Sequence, residues 1–167
     1  MKKYLFLFAL LTFMACEDKE GGDPIVPDHS VEFNTEEVVF DVVKAYETEE
    51  GYLVHLAEAA SLANPRVLWI ILSDKESQNY TAAESVMATD EAKTAFYFDT
   101  GATVPLKSSS GTLEISVNGS TISGTFSAVL ADNGGTFSEG KFENVPISQE
   151  SILDFQTISA TDLNGVP

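Results

Sequence analysis

Residues 111–126 read Gly111-Thr112-Leu113-Glu114-Ile115-Ser116-Val117-Asn118-Gly119-Ser120-Thr121-Ile122-Ser123-Gly124-Thr125-Phe126. Two alternating apolar–polar runs flank Asn118-Gly119. That dipeptide is a strong hairpin signal, because both central residues of a type I′ turn adopt positive φ. A fold there sets Val117 opposite Ser120, Ile115 opposite Ile122, Leu113 opposite Gly124 and Gly111 opposite Phe126. The other face pairs Ser116 with Thr121, Glu114 with Ser123 and Thr112 with Thr125. Apolar side chains meet apolar ones or glycine, and polar ones meet polar. A slip of one residue would invert that sorting, so a well-specified pairing is expected. Gly124 is expected to make room for a large neighbour such as Phe126 or Leu113.

Downstream, Asp132-Asn133-Gly134-Gly135 is the next turn signal and leads into a strand over 136–145. Phe137 and Phe142 lie an odd interval apart, so they share a face only if one residue is looped out. A bulge is expected near Glu139-Gly140, with Gly140 supplying the special backbone angle. Residues 151–161, with Ile152, Phe155 and Ile158, read as a final strand or a docked tail. Upstream, 94–99 carries Phe96, Tyr97 and Phe98 and reads as a short strand. Val67-Leu68-Trp69-Ile70-Ile71-Leu72 is an unbroken apolar run, which suits a central strand buried on both faces. Residues 52–63 fit both a strand and a helical period; a strand to about residue 58 is favoured, then an irregular or helical connection ended by Asn64-Pro65. Val38, Phe40 and Val42 alternate with Val39, Asp41 and Val43, as in a strand with one buried face. About eight short strands separated by turns predict an all-β fold, an antiparallel sandwich or barrel. One domain with a C-terminal tail is expected over 31–167.

The start of the chain reads differently. Lys2 and Lys3 precede twelve residues, 4–15, whose one clearly polar member is Thr12. A membrane-spanning helix needs about 20 apolar residues, so the stretch fits a secretory signal better than an anchor. It ends at Phe13-Met14-Ala15-Cys16, with the sole cysteine of the chain last. That ending resembles the lipobox of bacterial lipoproteins, in the looser form found in Bacteroidota, where cleavage precedes a diacylated cysteine. The resemblance implies a signal peptide over 1–15 and lipidation at Cys16. The alternatives are an ordinary signal with an incidental cysteine, or a buried thiol. Residues 16–30 are rich in charge, Gly and Pro and read as a tether. Glu17, Asp18 and Glu20 resemble the acidic export signal of surface lipoproteins. An outer-membrane location facing outward is therefore expected, with the periplasmic face as the alternative.

A second resemblance covers the last third. Gly111-Thr112-Leu113-Glu114-Ile115, Ile122-Ser123-Gly124-Thr125-Phe126 and Gly140-Lys141-Phe142-Glu143-Asn144-Val145-Pro146-Ile147 resemble the end of an all-β domain of unknown function in small Bacteroidota lipoproteins. That resemblance implies a secreted, lipid-anchored β-domain and brings no catalytic or binding residues with it.

Composition narrows the function classes. The 167 residues include 26 acidic and 9 basic side chains, for a net charge of −17. Cleavage before Cys16 removes Lys2 and Lys3 and brings the net to −19. Twelve of the acidic residues precede residue 51, so the charge is concentrated towards the tether. Nucleic acid is not an expected partner, because phosphate binding needs a basic footprint. One cysteine excludes an internal disulfide and a multi-cysteine zinc site.

Catalytic candidates are sparse. His29 lies near the tether and His55 in an apolar stretch, where a sheet-surface histidine is the bland reading. The segment Gly135-Thr136-Phe137-Ser138-Glu139-Gly140 lacks the spacing of a nucleophile elbow. Acidic runs such as Glu36-Glu37 and Glu47-Thr48-Glu49-Glu50 read as solvated turns rather than a glycosidase pair. Asp132-Asn133-Gly134 offers oxygen ligands for calcium without the alternation of an EF-hand loop, and a hairpin turn explains it as well. Two matches to the N-glycosylation sequon, at Asn79 and Asn118, are incidental on the bacterial reading that the resemblance implies. Trp69, Phe96, Tyr97 and Phe98 suit either an aromatic platform or the core, and their apolar surroundings favour the core. No catalytic, metal or cofactor site is expected. The reading is a non-enzymatic binding or interaction module held at a membrane through Cys16, its partner a protein or a glycan. The alternatives are a small apolar-ligand carrier with a lipocalin-like barrel, or a pilus- or adhesin-type structural subunit completed by strand exchange.

Overall fold

Ten strands make up almost all the regular structure of the computed structural model, which describes residues 28–83, 93–101 and 104–148. They are β1 (Ser30–Phe33), β2 (Glu36–Val39), β3 (Val42–Glu47), β4 (Tyr52–Ala57), β5 (Val67–Leu72), β6 (Asn79–Ala83), β7 (Thr94–Asp99), β8 (Leu106–Asn118), β9 (Thr121–Leu130) and β10 (Gly135–Ser148). A short 3-10 turn, Ala131–Asn133, joins the last two. The expected signal, the expected lipidation at Cys16, most of the tether and the expected element over 151–161 lie outside the described residues.

The strands form one sheet that closes on itself, running β10–β3–β4–β5–β7–β8–β9 and back to β10. The fold is all-β and barrel-like. β6 wedges between β7 and β8, and the β1–β2 hairpin hangs on the other edge of β10. Most pairings are antiparallel; β3–β10 and β6–β7 are short parallel contacts. Where β6 ends, the buried Ser108 hydroxyl replaces ladder bonds by donating to the Ala83 carbonyl at 2.6 Å and accepting the Phe96 N–H at 3.0 Å. Closure removes most of the edge that an open sheet would offer to other chains.

Alternation fills the interior. Leu56, Leu68, Ile70, Phe96, Phe98, Leu113, Ile122 and Phe142 are fully buried in one continuous cluster. The Phe33 ring, on the β1–β2 hairpin, packs against Phe98 at 4.8 Å and Phe137 at 5.6 Å between centroids. Phe126 links Phe96, Phe137 and Phe142.

Four local expectations need correction. The hairpin forms, but Val117 pairs with Ile122, Ile115 with Gly124 and Leu113 with Phe126. The two-residue loop is therefore Gly119-Ser120, with φ +62° at Gly119 and no positive φ at Asn118. Only glycine then carries the left-handed backbone, as in a type II′ turn. The shift is of two residues, so the same side chains keep the same faces and face sorting does not separate the two registers.

The bulge in β10 lies between Phe137 and Gly140, as expected, but Glu139 takes the positive φ (51°). Gly140 is needed for a different reason: a Cβ there would run into the Phe126 ring. Likewise Gly124 makes room for Phe142, whose Cζ would sit 2.6 Å from an added Cβ, rather than for Phe126 or Leu113.

Residues 38–43 are two strands, not one. The Phe40 N–H donates to the His29 carbonyl and the Asp41 N–H to that of Ala57, so the chain passes from one partner strand to another at this point. Accordingly Val38 and Phe40 are buried while Val42 is 37% exposed. The central strand at 67–72 and the short strand at 94–99 form as expected, as does a strand ending near residue 58.

The connection from β4 to β5 is irregular and clamped. Glu58 is 8% exposed, and its carboxylate accepts the Arg66 backbone N–H at 2.8 Å, Nε–H at 2.9 Å and Nη2–H at 2.7 Å. These bonds, the side-chain ones first, hold the Glu58 carboxyl below its ordinary pKa against the opposing effect of burial. Arg66 also reaches Glu36 on β2 at 3.0 Å.

Candidate functional site

The outward side chains of β6, β8, β9 and β10 are mostly polar, and many of them are small hydroxyls. In register they form a row, Asn79–Glu114–Thr125–Lys141, that continues to Ser30 on β1. A second row sets Thr112 beside Ser127, their hydroxyls 3.1 Å apart. A third brings Ser116 to Ser123, whose hydroxyl accepts the Asn144 N–H at 2.9 Å. Small side chains leave the surface low, and β10 is bent by two irregularities, between Phe137 and Gly140 and between Phe142 and Val145. Glu139 and Asn144, one at each, adopt positive φ.

The outcome is a run of three adjoining depressions of about 420, 630 and 330 Å³. The first two share Glu114, Thr125 and Lys141, and the last two share Glu139 and Lys141. Lys141 is therefore common to all three. It has no ion-pair partner among the described residues. Glu114 and Lys141 lie two strand spacings apart, about 10 Å, with the Thr125 hydroxyl between them. Such a strip can donate and accept hydrogen bonds along its length and offers one charge of each sign. Among the described residues its lining contains no histidine and no cysteine to activate a hydroxyl.

The residues singled out in the sequence are scattered. His29 lies beside β10, its Nδ1 accepting the Glu143 N–H at 3.3 Å. His55 is on the outer face of β4 against Trp69, ring centroids 4.2 Å apart. Burial, and secondly the Lys44 ammonium, push its pKa down to about 4. Asp132 and Asn133 are left-handed turn residues (φ 55° and 58°). Among the described residues no group of three or more His, Cys, Asp or Glu is placed to hold a metal. Of the four aromatics, Phe96 and Phe98 are interior, whereas Trp69 and Tyr97 belong to a second apolar cluster outside the barrel. Glu36 and Glu47 take part in ion pairs, with Arg66 and Lys75. The polar groove was not foreseen. Its signal was the polar face of the hairpin, since Glu114 and Thr125 already fell on that face in the sequence pairing.

No protein-family model matches the chain, and no curated protein and no solved structure shows detectable similarity to it.

Proposed function

We propose that this chain is a lipid-anchored, non-enzymatic β-domain displayed at the outer membrane, which recognises a hydrogen-bonding partner, a glycan or a peptide, along the groove of β8, β9 and β10. The observation that carries the binding reading is the contrast between the two sides of these strands. Inside, Phe126, Phe137 and Phe142 are buried in the core cluster; outside, hydroxyls, Glu114 and Lys141, which has no ion-pair partner among the described residues, line an open depression. The continuous apolar cluster of the interior favours surface recognition over carriage of an apolar ligand within the barrel. Strand exchange has little support, because the edge strand β2 is only four residues long and the ring is closed. The anchor rests on the lipobox-like Phe13-Met14-Ala15-Cys16 and the acidic residues that follow it; two acyl chains suffice for stable attachment.

Glycan and peptide arrays probed with the Cys16→Ala chain test the groove. Binding that Lys141→Glu and Thr125→Trp both abolish, with the fold retained, is the expected result. Binding indifferent to both variants would remove the groove from the account, and turnover of a hydrolase substrate would end the non-enzymatic reading. For the anchor, Cys16→Ala should release the protein from membrane fractions, and protease treatment of intact cells should digest the wild-type protein if it faces outward.

A further inference from the structure

Four strands of the barrel are apolar on both sides. In β3, β4, β5 and β7 the outward side chains Tyr46, Leu53, Ile71 and Ala95 form one cross-strand row. The next row runs Lys44, His55, Trp69, Tyr97 and, on β8, Lys107, whose ammonium lies 5.8 Å from the centre of the Tyr97 ring. These apolar residues make a cluster separate from the interior one. Leu53, Trp69 and Ile71 are 1%, 3% and 3% exposed. Neighbours within one sheet layer do not shield its outer surface to that degree, so a second layer must lie over it. The described elements that β4 and β5 contact substantially are their sheet neighbours.

We propose that residues 149–167 of the same chain form this second layer. β10 ends at Ser148, which pairs with Tyr46, itself a member of the outer cluster, so the chain leaves the barrel at the border of the face. The 19 residues that follow reach about 60 Å when extended, against about 15 Å across four strands. They carry Ile152, Leu153, Phe155, Ile158, Leu163 and Val166, enough apolar surface for a covering layer. They also carry Glu150, Asp154 and Asp162 and no Lys or Arg, which complements the lysines at both ends of the aromatic row. The other segments fit less well. Residues 1–15 are apolar but read as the signal that cleavage before Cys16 removes. Residues 16–27 hold only Ile25 and Val26 as large apolar side chains and join the barrel beside β10, near Glu143. Residues 84–92 start and end beside Ala95, where Ala83 pairs, and hold only Val86 and Met87 as large apolar side chains.

Trp69, the single tryptophan of the chain, sits in the middle of the face and reports on its cover. The full chain with Cys16→Ala and Ser159→Cys, labelled with a nitroxide, should show Trp69 emission strongly quenched when folded and recovering several-fold in denaturant. In the unlabelled Cys16→Ala chain, Phe155→Asp should raise acrylamide quenching of Trp69 several-fold while the far-UV strand signal persists. A shielded Trp69 that responds to neither the label nor Phe155→Asp would overturn the proposal by assigning the cover to another segment. Shielding that falls on dilution, as dimers separate, would overturn it in favour of a second copy.

Discussion

Replacing Glu58 by Ala should be among the most damaging single changes on this barrel's periphery. The carboxylate accepts three N–H groups, all from Arg66, at 2.7–2.9 Å, and only 9% of its side-chain surface is exposed. Without it, the Arg66 backbone N–H loses its partner and the guanidinium keeps only Glu36, whose side chain is 67% exposed. Breaking a buried pair from one side costs about 3–5 kcal/mol. Arg66 is 21% exposed and recovers some hydration, which places the expected loss near the lower end, about 3 kcal/mol. Glu36→Ala, which removes only the exposed arm of the same network, should cost about 1 kcal/mol or less. The two variants, compared in the Cys16→Ala background by guanidinium denaturation followed at Trp69, isolate the buried arm. The pH dependence gives a second check. Glu58 titrates below its unfolded value in the folded chain, so its contribution is complete above the ordinary carboxylate range and is lost as pH falls through the folded pKa. The gap between Glu58→Ala and wild type should therefore narrow in acid. Equal losses for Glu58→Ala and Glu36→Ala at neutral pH would refute the clamp.

His55, with its pKa pushed down to about 4 from 6.5, stays neutral when folded while the unfolded chain takes up a proton. Its stability contribution should be intact above about pH 6.5 and fall towards pH 4 by up to about 3 kcal/mol; His55→Gln should flatten that slope, and an NMR titration midpoint near 6.5 would contradict the burial. At the β8–β9 turn, Gly119→Ala should cost about 1 kcal/mol and Asn118→Ala close to nothing, measured by chemical denaturation; a comparable loss at both positions would restore the Asn118-Gly119 turn. Gly140→Ala should lower the thermal midpoint by forcing the Phe126 ring aside, and Phe126→Leu in the same chain should recover part of the loss.

Strand periodicity was legible wherever burial was one-sided or complete. The run at 67–72 and the alternation of 111–126 place β5, β8 and β9 without any tertiary information. What escaped are properties that depend on partners distant in sequence. The hairpin register differs by two residues because an even shift preserves both faces, and the choice rests on which residue bears positive φ. Phe96 and Phe98 could be separated from Tyr97 by alternation alone, but whether the outer side of that strand is covered depends on what packs over it. Gly124 and Gly140 each accommodate a ring from the neighbouring strand, which local sequence does not reveal. The groove requires β10 to lie beside β9 so that Lys141 meets Thr125, a contact set by closure of the ring.

We propose that the domain and its polar recognition strip are held at a membrane through Cys16. Mass spectrometry of the N-terminal peptide, taken from the protein purified out of the membrane fraction, tests it most directly. The expected result is a chain beginning at Cys16, its thiol carrying a diacylglyceryl thioether. A peptide beginning elsewhere, or an unmodified Cys16 thiol, would contradict it.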